Sequence, residues 1–153
     1  AFQRVDGVMH TAVGYAGGSE KYPNYDMVSA GNTGHTEAVL LLYDPRIVSY
    51  KNLLDVFFER VDPTTVNGQG QDRGRQYRTG VYYHNKMQEE FARIRFEVEK
   101  KKLSGLTIAT ELGPAPPFWP AEGRHQRYLE RGGRFGLPQS AEKGCSEPIR
   151  CYG

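Results

Sequence analysis

The sequence predicts an α+β fold, a two-layer sandwich in which helices cover one face of a mixed sheet. Three observations predict it. Stretches rich in β-branched and aromatic residues are interspersed with helical periodicities, the order runs strand, strand, helix, strand, helix, strand, and no internal repeat or linker divides the 153 residues. A chain of this length is about one domain, long enough to bury most of the surface it exposes when unfolded. We read residues 1–153 as that single domain, with 134–153 a mobile tail punctuated by Gly and Pro.

Ala1, Phe2 and Val5 precede Asp6-Gly7, the pattern of a last helical turn and its stop. A strand follows over 8–15, carrying Val8, Thr11, Val13 and Tyr15, and Gly17-Gly18 turns the chain. Residues 36–43 are nearly continuous in apolar character, which predicts a central strand covered on both faces and stopped by Asp44-Pro45. Leu53, Leu54, Phe57, Phe58 and Val61 at helical spacing predict a helix over 49–61, with Ser49 as its cap and Pro63 beyond its end. After a loop over 62–76, residues 77–83 read as a strand. Asn85 with Gln88 opens a second helix, whose stripe of Met87, Phe91, Ile94 and Val98 is expected to be buried and which Gly105 ends. A strand over 107–112, a Pro-rich loop over 113–120 and a helix over 121–131 complete the reading.

Composition narrows the function classes. A hydrophobic share of 38%, two cysteines and a net charge of +2 describe a globular protein of a reducing compartment, cytoplasmic or another intracellular one, rather than a disulfide-stapled secreted domain. Mixed charge argues against nucleic acid as a partner, and the run from Glu97 to Lys102 is one solvated helix face. No apolar stretch approaches the roughly 20 residues of a membrane span, so no membrane is expected. His10, His35, His84 and His125 are scattered without ligand spacing, so no metal site is expected either.

Chemistry belongs to the polar residues that the architecture does not require. Glu37 stands at the mouth of an otherwise apolar strand, where desolvation would raise its pKa and make it a proton donor near neutrality; the plainer alternative is an edge carboxylate in water. The loop from Asp62 to Gln76 packs Gly, amide and charged residues ahead of Tyr77, and Asp72 is placed to anchor it or to hold a donor. Tyr22 and Tyr25 add phenols on another loop. Cys145 and Cys151 both fall in the tail, where a disulfide would close only a short loop and constrain little, so exchange chemistry suits them better than scaffolding; the plainer alternative is a pair of incidental thiols on a frayed end.

Gly14-Tyr15-Ala16-Gly17-Gly18, Asn24-Tyr25, Gly34-His35-Thr36-Glu37, Tyr43-Asp44-Pro45, Asp62-Pro63-Thr64, the segment from Gln69-Gly70 to Arg78, and Ala121-Glu122 with His125-Gln126 together resemble the A-type peptide methionine sulfoxide reductases. The tail, through Lys143-Gly144-Cys145 to Ile149-Arg150-Cys151-Tyr152-Gly153, looks like the plant-type branch. The resemblance implies a ferredoxin-like core and thiol-dependent reduction of the S epimer of methionine sulfoxide, free or in proteins, through a sulfenic acid and a disulfide. It implies Glu37 as proton donor, Tyr25 and Tyr77 as hydroxyl donors to the sulfoxide oxygen, and Asp72 as the acid shaping the same pocket. Cys145 and Cys151 match the recycling thiols. It further implies that no cofactor is bound, that the reductant is thioredoxin, or dithiothreitol in vitro, and that the partners are oxidised proteins, with the chain expected to be a monomer.

One departure stands out. The family's nucleophile lies in a Gly-Cys-Phe-Trp box before the residues matching Ala1 to Val5, so the expectation is that the first strand and the nucleophilic cysteine are missing from this chain. Two other readings follow: a non-catalytic binder of methionine or methionine sulfoxide segments, and an RNA-binding domain, against which stands the lack of an aromatic RNP pattern.

Overall fold

The structure, a computed structural model, describes residues 1–150, so Cys151 lies outside the described residues. At its centre runs β1 (Val8–Ala16), paired antiparallel on one edge with β2 (Thr36–Tyr43) and on the other with β7 (Phe118–Pro120). The register sets Tyr15 directly opposite Glu37 on one side and Trp119 on the other, so the three share a face of the sheet. A second, parallel pair joins β5 (Gly80–Tyr83) to β6 (Glu111–Pro114). Parallel strands need a crossover, and α3 (Lys86–Lys102) supplies it. The loop after α2 (Tyr50–Phe58) folds into a small hairpin of β3 (Gly68–Gln69) and β4 (Asp72–Arg73). Antiparallel and parallel pairs with helices packed beside them make the expected α+β class.

The helices begin where the sequence places their caps. Ser49 Oγ accepts from the Asn52 amide and Asn85 Oδ1 from the Gln88 amide, satisfying donors that have no partner inside the helix. A short helix that the reading did not include, α1 (Tyr25–Ser29), is capped the same way by Asn24. Consecutive residues of α2 then serve two core clusters. Leu53 joins Val8 and Val48, and Leu54 joins Val81 and Ala92. Truncating either leucine to alanine is expected to cost about 2–5 kcal/mol.

Four expectations are corrected. Strand β2 is an edge strand of its sheet, not a central one, and Val39, Leu40 and Leu42 are 43%, 38% and 56% exposed. Continuous apolarity reported the chemistry of the surface but not what covers it. In α3 the stripe of Met87, Phe91, Ile94 and Val98 faces outward, and the helix instead buries Gln88 and Ala92. Small Ala92 lets the helix approach Leu54 and Val81, while Arg95 lies 4.6 Å from the Phe58 ring centroid and bonds Asp55 and Glu99. Residues 121–131 form turns, not a helix, because Arg127 adopts a left-handed φ of 53° and the Gln126 side chain is committed to the Val13 backbone. The later strands are also displaced: β6 starts at Glu111, and the loop placed over 113–120 contains β7.

The first residue of β2 is tied to the segment that leads into β5. The Thr36 hydroxyl lies 3.2 Å from the Gln76 carbonyl and 2.9 Å from that of Arg78. Beyond this joint β2 and β5 are not paired with each other, and residues of both line a cleft of about 400 Å³.

Candidate active site

Glu37, Asp72 and Tyr77 line this cleft, together with Gln69, Arg78 and Tyr82 at its polar end and Leu53, Leu54 and Phe57 along its apolar wall. Each arrives on a different element: Glu37 on β2, Asp72 on β4, and Tyr77 at the end of the short 3-10 helix Arg75–Tyr77. Glu37 opens onto the cleft, yet the surrounding protein pushes its carboxyl pKa upward, first by desolvation and then by the Asp72 carboxylate. Like charges sharing an apolar-walled cleft favour the protonated acid, which is the form that can donate to a developing oxyanion. Tyr82 closes the rim, donating to Glu111 at 2.7 Å, while Arg78 donates to the other Glu111 oxygen at 3.0 Å. Burial and Glu111 both raise the Tyr82 pKa, keeping it a neutral donor.

Asp72 stands in a loop whose anchoring falls elsewhere. Asp62 Oδ1 accepts from the Thr64 amide at 2.9 Å and from its hydroxyl at 2.6 Å, and Gln69 bonds both the amide and the carbonyl of Asp62. The Gln69 amide also donates to the Thr65 hydroxyl. These contacts close the loop that leads into the β3–β4 hairpin.

Tyr25 is not among the cleft-lining residues. It opens α1, its ring stacks on His125 at 4.5 Å, and its amide donates to Glu122 Oε1 at 2.8 Å. The second oxygen of Glu122 accepts from the Tyr15 hydroxyl at 2.9 Å. Tyr15, opposite Glu37 in the sheet, therefore bridges Tyr25 and the cleft, and burial with the neighbouring carboxylates of Glu122 and Glu37 raises its pKa. The hydrogen bonds from the Tyr25 amide and Tyr15 hydroxyl outweigh desolvation and hold Glu122 below the usual carboxylate range. Sequence reasoning gave Tyr15 and Glu122 no role. Both stood in the quoted motifs, but only the strand register and the turn over 121–131 bring them to one place.

His35 is a buried structural residue, 1% exposed. Its Nδ1 accepts from the Gly18 amide at 3.0 Å and its Nε2 donates to the Glu20 carbonyl at 2.8 Å, which fixes the neutral tautomer and ties the Gly-rich turn to β2. Cys145 is partly buried and is not a cleft-lining residue; it sits beside Arg4. Among the described residues no group of three or more His, Cys, Asp or Glu converges as a metal site, and no helix is long and apolar enough to cross a membrane.

The chain that carries this raised carboxyl and second acid is similar to known proteins. The family model for peptide methionine sulfoxide reductase matches residues 1–143. A peptide methionine sulfoxide reductase of Solanum lycopersicum is 50% identical over 153 residues, covering 100% of this chain and 78% of that protein. The chloroplastic A4 enzyme of Arabidopsis thaliana is 54% identical, and this chain spans 59% of its length. Among solved structures, Mxr1 of Saccharomyces cerevisiae in reduced form matches with a TM-score of 0.75 at 37% identity, over 82% of this chain and 72% of that one. Methionine sulfoxide reductase A of Corynebacterium diphtheriae matches with 0.74 at 37% identity, over 82% and 64%. The chain belongs to the peptide methionine sulfoxide reductase family.

Proposed function

We propose that the cleft between β2 and β5 receives the sulfoxide of an oxidised methionine, in proteins or free, and serves its thiol-dependent reduction to methionine. The observation that carries this reading is Glu37, whose carboxyl pKa is raised by desolvation and by Asp72 in a cleft that also contains Tyr77, on a chain of this family. As thiolate sulfur attacks the sulfoxide sulfur, the S–O bond breaks and its oxygen must take up a proton. Glu37 supplies that proton and Tyr77, which lines the same cleft, holds the oxygen. The balance is thiol plus sulfoxide giving sulfenic acid plus thioether; a second thiol then condenses with the sulfenic acid to give a disulfide and water. Cys145 and Cys151 are suited to that second step and to passing the disulfide on to a dithiol reductant such as thioredoxin, in a reducing intracellular compartment.

The attack itself needs a thiol in the cleft, and this chain's two cysteines are Cys145, beside Arg4, and Cys151. That fact keeps a second reading open, a binder of sulfoxide segments without turnover. One experiment separates the two. The chain is incubated with racemic N-acetylmethionine sulfoxide and dithiothreitol, and both epimers are followed by chiral chromatography beside a binding titration of each. Loss of the S epimer alone supports the reductase, and S-selective binding without loss supports the binder. Neither binding nor loss would remove both.

A further inference from the structure

Outside the cleft, the densest set of charge-assisted contacts ties the tail to the first turn of the chain. Arg4 Nε donates to the Ser140 carbonyl at 2.9 Å, and its Nη1 reaches the carbonyls of Glu147 at 2.5 Å and Cys145 at 3.4 Å. In return the Gly144 amide donates to the Arg4 carbonyl at 2.8 Å. Lys143 Nζ donates to three carbonyls, those of Gln3 at 2.7 Å, Val5 at 3.0 Å and Val8 at 2.6 Å. All three ammonium protons are thereby spent where the 3-10 helix Phe2–Arg4 gives way to β1. The Cys145 amide donates to the Glu142 carbonyl at 3.2 Å, so the cysteine lies in a closed turn flanked by both cations. Gln139 seals the far end, donating to the Pro148 carbonyl at 2.6 Å and accepting from the Arg150 amide at 3.2 Å.

We propose that Arg4 and Lys143 are positioning residues for Cys145: together they clamp residues 140–147 onto the first 3-10 turn and so set the rate at which the thiol meets a reaction partner. In the relay, the Cys145 sulfur attacks the sulfur of a sulfenic acid; an S–S bond forms, the S–O bond breaks, and the oxygen leaves as water with the thiol's proton. That approach must come along the S–O axis, and a partly buried cysteine on a clamped turn admits few approaches. Both cations hold neutral backbone carbonyls rather than carboxylates, so what they fix is the path of the chain. The identity of the physiological partner rests on the relay reading above, whereas the rate itself does not.

The test uses the 153-residue chain carrying Cys151→Ser, so that Cys145 is its single thiol, and neutral iodoacetamide as the probe. Rates are followed from about pH 7 to about pH 10, and the plateau values are compared, so that any change in thiol acidity drops out. The parent is expected to react about tenfold more slowly than a peptide of residues 139–150, and Arg4→Met and Lys143→Met should each recover most of that difference. Lys143→Arg keeps the charge but cannot aim three protons at three converging carbonyls, so it should behave like Lys143→Met. A parent that reacts as fast as the peptide overturns the proposal, as do folded variants whose plateau matches the parent's. Should the variants unfold, hydrogen exchange at the Gly144 amide of the parent decides. Protection relative to the peptide supports the clamp, and its absence overturns it.

Discussion

Replacing Glu122 with alanine breaks two hydrogen bonds, from the Tyr25 amide at 2.8 Å and from the Tyr15 hydroxyl at 2.9 Å, and loses the 3.7 Å approach of its carboxylate to His125 Nε2. Hydrogen bonds to a charged group are worth about 1.5–3 kcal/mol each, and the Glu122 side chain is 35% exposed, so water can replace part of what is lost at Tyr25. Tyr15 has no such recourse. It is 2% exposed, and its hydroxyl would be left without an acceptor. A total loss of about 2–4 kcal/mol follows. Tyr15→Phe alone removes the hydroxyl together with its need for a partner and should cost about 1 kcal/mol. The double variant should then be about 1 kcal/mol more stable than the sum of the single losses predicts. Urea denaturation of all four proteins at pH 7 measures this cycle. The pH dependence has a definite sign: the folded-state pKa of Glu122 is lowered, so its contribution is present above the ordinary carboxylate range and is lost as pH falls through the folded-state value. The gap between parent and Glu122→Ala should therefore narrow in acid. Additive losses, or a gap that widens on acidification, would refute the assignment of Glu122 as the acceptor joining Tyr15 and Tyr25.

Other outcomes can be checked alongside. Because the Glu37 pKa is raised, its ionisation disfavours the folded state as pH rises past the ordinary glutamate value, so Glu37→Gln should stabilise the protein at pH 7 and lose that advantage in acid, as read by thermal melts across pH. Asp72→Asn removes the like charge and should move the Glu37 titration midpoint downward in carboxyl-detected NMR. His35→Ala deletes a side chain 1% exposed and its two backbone contacts, with an expected loss of about 3–5 kcal/mol by chemical denaturation. Gly14 leaves no room for a Cβ beneath the Trp119 carbonyl and the Phe118 ring, so Gly14→Ala should separate β1 from β7 at a cost of about 2 kcal/mol or more, visible as lost Trp119 fluorescence burial.

What the sequence made legible was local. Ser49 and Asn85 announced their helices because a cap is a contact within four residues, and the class of fold followed from the order of elements. What it left hidden depends on contacts far apart in the chain. Apolar character in β2 and in the Met87 to Val98 stripe could not show which face would be covered, since Ala92 and Arg95 decided the orientation of α3. In the turn over 121–131 an apparent helix yields to Gln126, whose side-chain amide bonds the Val13 amide and carbonyl. The candidate site divides in the same way. Glu37 was readable as a carboxylate out of place in an apolar strand. Its proximity to Asp72, and the link from Tyr15 through Glu122 to Tyr25, depend on strand register and loop closure.

The claim that the cleft between β2 and β5 receives a sulfoxide is tested most directly by an amide-detected NMR titration with the separated epimers of N-acetylmethionine sulfoxide methyl ester. The account predicts saturable shifts for the S epimer, centred on Glu37, Asp72 and Tyr77 and weakened in Asp72→Asn. Shifts that are absent, equal for both epimers, or centred away from these three residues would contradict it.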